Sequence, residues 1–75
     1  MHYTERLRAL REDHDLKQWQ VAQVLGVQHN TYSQYENGIR PLPVYSLITL
    51  CRYYRVTSDY ILGLSDNPYE EGRHR

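Results

Sequence analysis

Residues 28–38 of the chain read Gln-His-Asn-Thr-Tyr-Ser-Gln-Tyr-Glu-Asn-Gly. Wound at 3.6 residues per turn, they put His29, Asn30, Ser33, Gln34 and Asn37 on one face, and Val27, Thr31, Tyr32, Tyr35 and Glu36 on the other. The first face is polar yet almost uncharged. Its amides, imidazole and hydroxyl, with Gln28 at the start, are groups that pair with base edges in a DNA major groove, whereas an ordinary solvated face carries Lys and Glu pairs. The remainder of the chain has to supply a platform that presents this face.

Upstream, Gln18 to Leu25 reads as a helix whose inward face is Val21, Ala22 and Leu25, the small Ala22 allowing close approach of a neighbour. Trp19 and Val24 lie off that face and either extend the core at its edge, which is the expectation, or leave an exposed apolar patch. Gly26 supplies the left-handed residue that ends this helix, and Val27 is a single apolar plug before the next helix begins at Gln28. Helix, four-residue turn with glycine, helix is the helix-turn-helix layout. Earlier still, Tyr3, Leu7, Leu10 and His14 recur at spacings of 4, 3 and 4, which predicts a first helix over residues 3–14 with Thr4 as its N-cap and His14 at its C-terminal end. Arg6, Arg8 and Glu12 fall largely outside that stripe and are expected on a solvated face, with Arg8 pairing to Glu12.

Downstream, Asn37-Gly38 stops the helix, and Ile39 to Pro43, with two prolines, forms an ordered loop that carries Arg40. A helix from Pro43 to Tyr54 is predicted to bury Val44, Leu47, Ile48, Leu50, Cys51 and Tyr54. Thr57 caps a short fifth helix, with Asp59 in its first turn, Tyr60, Ile61 and Leu62 as its apolar body and Gly63 as its stop. Residues 1–66 are expected to form one domain, and residues 67–75, with Pro68 and Gly72, a flexible tail.

Composition narrows the function classes. A chain of 75 residues suits one domain whose folding buries only roughly 60% of the unfolded surface. At 40% hydrophobic and 24% charged residues it folds rather than staying disordered. With no apolar run near the ~20 residues that span a bilayer and no signal-like start, it is expected in the cytoplasm and away from membranes. One cysteine, Cys51, excludes an internal disulfide and a cysteine zinc site; inside the fourth helix it reads as a buried structural thiol. The histidines at 2, 14, 29 and 74 lack the spacing of a helical metal site, so neither metal nor cofactor is expected; His2 and His74 read as exposed. Net charge is zero, but residues 16–58 hold Lys17, Arg40, Arg52 and Arg55 against Glu36 alone, a balance of +3, while residues 1–15 and 59–75 come to −1 and −2. Phosphate binding would then use few cations and lean on backbone amides as well.

Leu16 to Gly38, in particular Gln18, Val21-Ala22, Leu25-Gly26-Val27, Thr31 and Tyr35-Glu36-Asn37-Gly38, together with Val56-Thr57-Ser58-Asp59-Tyr60-Ile61-Leu62-Gly63, resembles the helix-turn-helix domain of phage repressors and Cro, the xenobiotic-response-element family of bacterial regulators. The resemblance implies a compact all-α, five-helix, lambda-repressor-like domain with the helix-turn-helix at its second and third helices, which binds double-stranded operator DNA, commonly as a homodimer. It implies base contacts from Gln28, His29, Asn30, Ser33 and Gln34, a contact from Gln18 to a phosphate or an outer base, and backbone contacts from Asn37 and Arg40; independently of the resemblance, Lys17 flanks this face as a further cation for the phosphates. Gln and Asn can pair bidentately with adenine, which supports the same reading from the residues alone. It further implies that Arg11 on the first helix pairs with Glu36, an inward-facing carboxylate that would be costly to bury alone.

The expected function is a sequence-specific transcriptional regulator, a repressor on a short palindromic operator. The alternative is a protein-interaction module, an antitoxin or scaffold that retains the fold, motivated by zero net charge and by Trp19, Val24 and neighbouring tyrosines. An enzyme is least supported: the chain carries no nucleophile with a base at motif spacing, no carboxylate pair in a likely cleft and no phosphate-cradling glycine loop, and no small-molecule substrate is evident. Of eight tyrosines, in a chain with no phenylalanine, Tyr32, Tyr35, Tyr54 and Tyr60 are expected in the core and Tyr45, Tyr53 and Tyr69 at a surface or interface. A dimer is expected to form through Tyr53, Ile61 and Leu64.

Overall fold

A computed structural model describes residues 2–69; the expectations for residues 70–75, Gly72 and His74 among them, lie outside the described residues. Five helices follow one another with no strand among the described residues: α1 Tyr3–Asp13, α2 Gln18–Leu25, α3 His29–Glu36, α4 Val44–Tyr54 and α5 Ser58–Leu62.

Each boundary has a local cause. The cap of α1 is His2 rather than Thr4: His2 Nδ1 accepts the Thr4 amide at 3.2 Å, and the His2 amide donates to Glu5 Oε1 at 3.2 Å, a reciprocal arrangement that draws Thr4 inside the helix. At the other end His14 is the C-cap, its ring Nδ1 lying 2.8 Å from the Leu10 carbonyl. The Gln20 side chain closes the start of α2 by accepting from the Lys17 amide at 2.8 Å. Gly26 ends α2 at φ 71°, with the Val27 amide bonded to the Ala22 carbonyl at 3.0 Å. Apart from its chain neighbours, nothing lies within 4 Å of where a Gly26 Cβ would sit, so backbone conformation, not crowding, calls for glycine there. Gly38 repeats the device after α3 at φ 76°, with the Ile39 amide reaching back to the Gln34 carbonyl at 2.9 Å. Thr57 caps α5 by accepting from the Tyr60 amide at 3.1 Å.

The core is formed by Leu7 and Leu10 of α1, Val21 and Ala22 of α2, Tyr32 and Tyr35 of α3, Leu50 and Tyr54 of α4, and Ile61 of α5, ringed by half-buried residues such as Leu25, Val27, Leu47, Cys51 and Tyr60. In α4 the buried stripe is Ser46, Leu50 and Tyr54, and two residues predicted to be inside are outside: Val44 is 72% and Ile48 46% exposed. At 100° per residue these two lie about 120° and 160° around the helix from Leu50, so no rotation of α4 that seats Leu50 and Tyr54 can bury them. Trp19, expected at the core edge, is 47% exposed, because it points away from the face that buries Val21.

Arg6 was expected in solvent and is buried. Its guanidinium lies 4.0 Å from the centroid of the Tyr60 ring and its Nη2 3.4 Å from Asp66, which ties α1 to α5 and to the segment after it. The described part of the expected tail also folds back, the Pro68 carbonyl accepting from the Thr57 amide at 2.9 Å. No helix among the described residues is long and apolar enough to cross a membrane.

Candidate nucleic-acid interface

The turn at Gly26 and Val27 sets α3 against α2 so that Tyr32, Tyr35 and Glu36 enter the core while Gln28, His29 and Asn30 stay exposed and Ser33 and Gln34 half-exposed. Tyr32 and Tyr35, one turn apart on α3, pack edge-to-face with centroids 6.4 Å apart, and it is their burial in the core that sets which side of the helix turns inward.

Glu36 is the hub behind this surface, its side chain 0% exposed. Arg11 donates to it twice, Nε to Oε2 at 2.8 Å and Nη2 to Oε1 at 3.0 Å, and spends a third donor on the Leu16 carbonyl at 2.9 Å. Gln18 Nε2 donates to Glu36 Oε1 at 3.1 Å, and Arg8 Nε stands 3.5 Å from the same oxygen. Burial by itself would raise the Glu36 carboxyl; the hydrogen bonds of Arg11, the closeness of the Tyr32 hydroxyl and the hydrogen bond of the Gln18 amide outweigh it and hold the group below the usual carboxylate range. The Tyr32 hydroxyl faces this carboxylate without closing a full hydrogen bond to it. Burial first, and then the Glu36 charge, push the Tyr32 phenol up. The Arg11 guanidinium is correspondingly held protonated by its hydrogen bond to Glu36.

From the hub, contacts run outward to the α3 face. The free end of the Gln18 amide, Oε1, lies 3.3 Å from His29 Nε2. Asn37 Oδ1 accepts from Arg8 Nη2 at 3.3 Å, and Asn37 Nδ2 donates to Ser33 Oγ at 3.3 Å. At the far end Arg40 Nε donates to Gln34 Oε1 at 3.0 Å. The structure therefore groups most of the residues singled out from the sequence into three sets: Gln18 with His29, Ser33 with Asn37, and Gln34 with Arg40. Gln28 and Asn30 extend from the exposed start of α3, and Lys17 is exposed at the cap of α2.

These orientations have chemical consequences. A guanidinium only donates, so Gln34 turns its oxygen to Arg40 and presents its NH2 outward. Gln18 spends one of its two amide hydrogens on Glu36 and keeps the second. Ser33 accepts from Asn37 and retains a hydroxyl hydrogen to donate. Sequence reasoning missed Arg8, which leaves Glu12 for Glu36 and Asn37; its position three residues before Arg11, on the same flank of α1, is the signal that finds it. It also missed Arg6, which sits three residues after Tyr3 and four before Leu10, at the edge of the buried stripe.

Residues 2–60 match the family described as helix-turn-helix domain. The uncharacterized HTH-type transcriptional regulator YobD of Bacillus subtilis (strain 168) is 42% identical over 66 residues, 88% of this chain and 59% of that protein. Antitoxin PezA of Streptococcus pneumoniae serotype 4 is 31% identical over 67 residues, 87% of this chain and 42% of that protein. The crystal structure of the P22 c2 repressor in complex with a synthetic operator is similar with a TM-score of 0.75 at 26% identity, covering 83% of this chain and 94% of that one. The chain thus spans about half the length of the curated relatives it matches. On the family match, the five-helix arrangement and the repressor likeness together, the chain belongs to the helix-turn-helix domain family.

Proposed function

We propose that this chain is the DNA-binding unit of a sequence-specific transcriptional regulator, a repressor that sets α3 into the major groove of a short palindromic operator and acts in the cytoplasm. The observation that carries this is the outward face of α3: five polar, uncharged-to-titratable side chains, several already oriented by partners on the platform behind them. Preorganised donors lose less freedom on binding than free ones. In this reading Gln28, His29, Asn30, Ser33 and Gln34 contact bases, and Lys17, Gln18, Asn37 and Arg40 contact phosphates, Gln18 through its second amide hydrogen. Arg8, bonded to Asn37, joins the phosphate set. The likeness to a repressor solved with its operator supports the same role.

Palindromic recognition calls for two copies related by a twofold axis. Ile61, fully buried, cannot take part in the pairing once expected of it; Tyr53 and Leu64, 45% and 75% exposed, remain for it. The second reading, an interaction module of antitoxin or scaffold type, draws on the exposed Trp19 and the likeness to PezA. Neither reading gives the chain a catalytic role.

Binding of genomic DNA fragments at two salt concentrations separates them. The regulator reading expects saturable binding that weakens with salt along a shallow slope, since few cations are present. Binding that ignores salt, or no binding, favours the interaction module.

A further inference from the structure

The hydrogen-bond chain that ends at His29 has a single polarity. The buried Glu36 carboxylate, held ionised by Arg11, only accepts, so Gln18 must turn Nε2 to it, at 3.1 Å. Gln18 Oε1 then faces His29 and also only accepts, so His29 Nε2, at 3.3 Å, must carry a hydrogen. Which ring nitrogen of a histidine is protonated is ordinarily an assignment; here it follows from a carboxylate two bonds away in the chain of contacts. With Nε2 committed to Gln18, Nδ1 is the nitrogen left for a base.

We infer that His29 reads DNA through Nδ1, as an acceptor when the ring is neutral and a donor when it is protonated, so that the base selected opposite it changes with pH. The inference rests on the DNA-binding reading of α3 and deepens it. A neutral Nδ1 suits the N4 amino donor of cytosine; a protonated one suits the N7 and O6 acceptors of guanine; adenine, which carries both kinds of group, accommodates either. The charged groups that reach the ring through Gln18 are Arg11 of α1 and Glu36 of α3, while Lys17 precedes Gln18 at the cap of α2. Its neighbours on the outer face of α3, Gln28, Asn30 and Ser33, are uncharged, and Arg40 is engaged with Gln34 at the far end.

The test is selection of bound duplexes from a randomised pool at about pH 7.5 and about pH 5.5, on the wild type and on His29→Gln, whose amide keeps the reach to Gln18 but does not titrate. At one position of the wild-type site, the ratio of cytosine to guanine falls about fivefold from the higher to the lower pH, and in His29→Gln it does not move. A wild-type site whose bases are the same at both pH values overturns the inference and leaves the DNA-binding reading intact; so does a shift that persists in His29→Gln. Absence of any sequence-selective binding overturns both. Nitrogen NMR of the free protein at the higher pH provides a second check without DNA: the neutral ring carries its hydrogen on Nε2, and a hydrogen on Nδ1 overturns the inference.

Discussion

Arg11 and Glu36, 25 positions apart in the chain, meet in a two-pronged pair of 2.8 and 3.0 Å that pins the end of α3 to α1. The carboxylate is fully buried and the guanidinium side chain only 15% exposed, so removing either partner strands the other in the interior. Arg11→Ala is expected to cost about 3 kcal/mol of stability, read as a fall in melting temperature, and to weaken operator binding with it. An unchanged melting temperature removes the structural part of this claim.

The same pair sets an acid limit. Because the folded-state Glu36 carboxyl lies below its ordinary value of 4.5, its contribution is fully present above about that pH and is lost as pH falls through the depressed folded value. Thermal melts of wild type and Glu36→Gln are expected to differ most near neutrality and to converge below about pH 4.5. A gap that stays constant into acid contradicts the ionised, hydrogen-bonded state of Glu36.

Arg6 stabilises by packing more than by ion pairing. Its guanidinium covers Tyr60 at 4.0 Å and the side chain is buried, while its carboxylate partner Asp66 is fully exposed. Arg6→Ala is expected to lose about 2 kcal/mol and Arg6→Met clearly less, with Asp66→Asn leaving the melting temperature where it is. Equal losses for Arg6→Ala and Asp66→Asn would mean that the ion pair dominates.

Arg55 closes α4 in the left-handed region, at φ 59° and ψ 48°, where a side chain is crowded against its own carbonyl. Arg55→Gly is expected to raise stability by about 0.5–1 kcal/mol in a denaturant titration, and a loss would show that the arginine side chain contributes contacts that outweigh the strain.

What could be read from the sequence, and what could not, divides along the range of the interactions. The α2–turn–α3 unit was legible because Ala22, Gly26 and Val27 act within a few residues of where they stand, and the outward face of α3 because it lacks the charges of a solvated surface. The buried face of α4 was misread: hydrophobicity marks Val44 and Ile48 as core candidates, but only packing decides which side of the helix turns in, and it turned in Ser46 instead. Arg6 stands at the edge of the buried stripe of α1, but that it turns inward depends on Tyr60, which arrives from α5 and is 54 positions away. Amide orientation at Gln18 and Gln34 is likewise invisible in the sequence, since it depends on Glu36 and Arg40 arriving from elsewhere in the fold.

Whether the outward face of α3 reads base sequence is tested most directly by dissociation constants for a selected operator and its single-base-pair variants, measured for wild type, Asn30→Ala, Gln34→Ala and Lys17→Ala. Asn30→Ala and Gln34→Ala are expected to flatten the preference at individual positions by about 1–3 kcal/mol at an unchanged melting temperature, while Lys17→Ala weakens all sequences alike and lowers the salt slope by about 1. Preferences that survive both α3 substitutions intact would contradict the assignment of this face to the major groove.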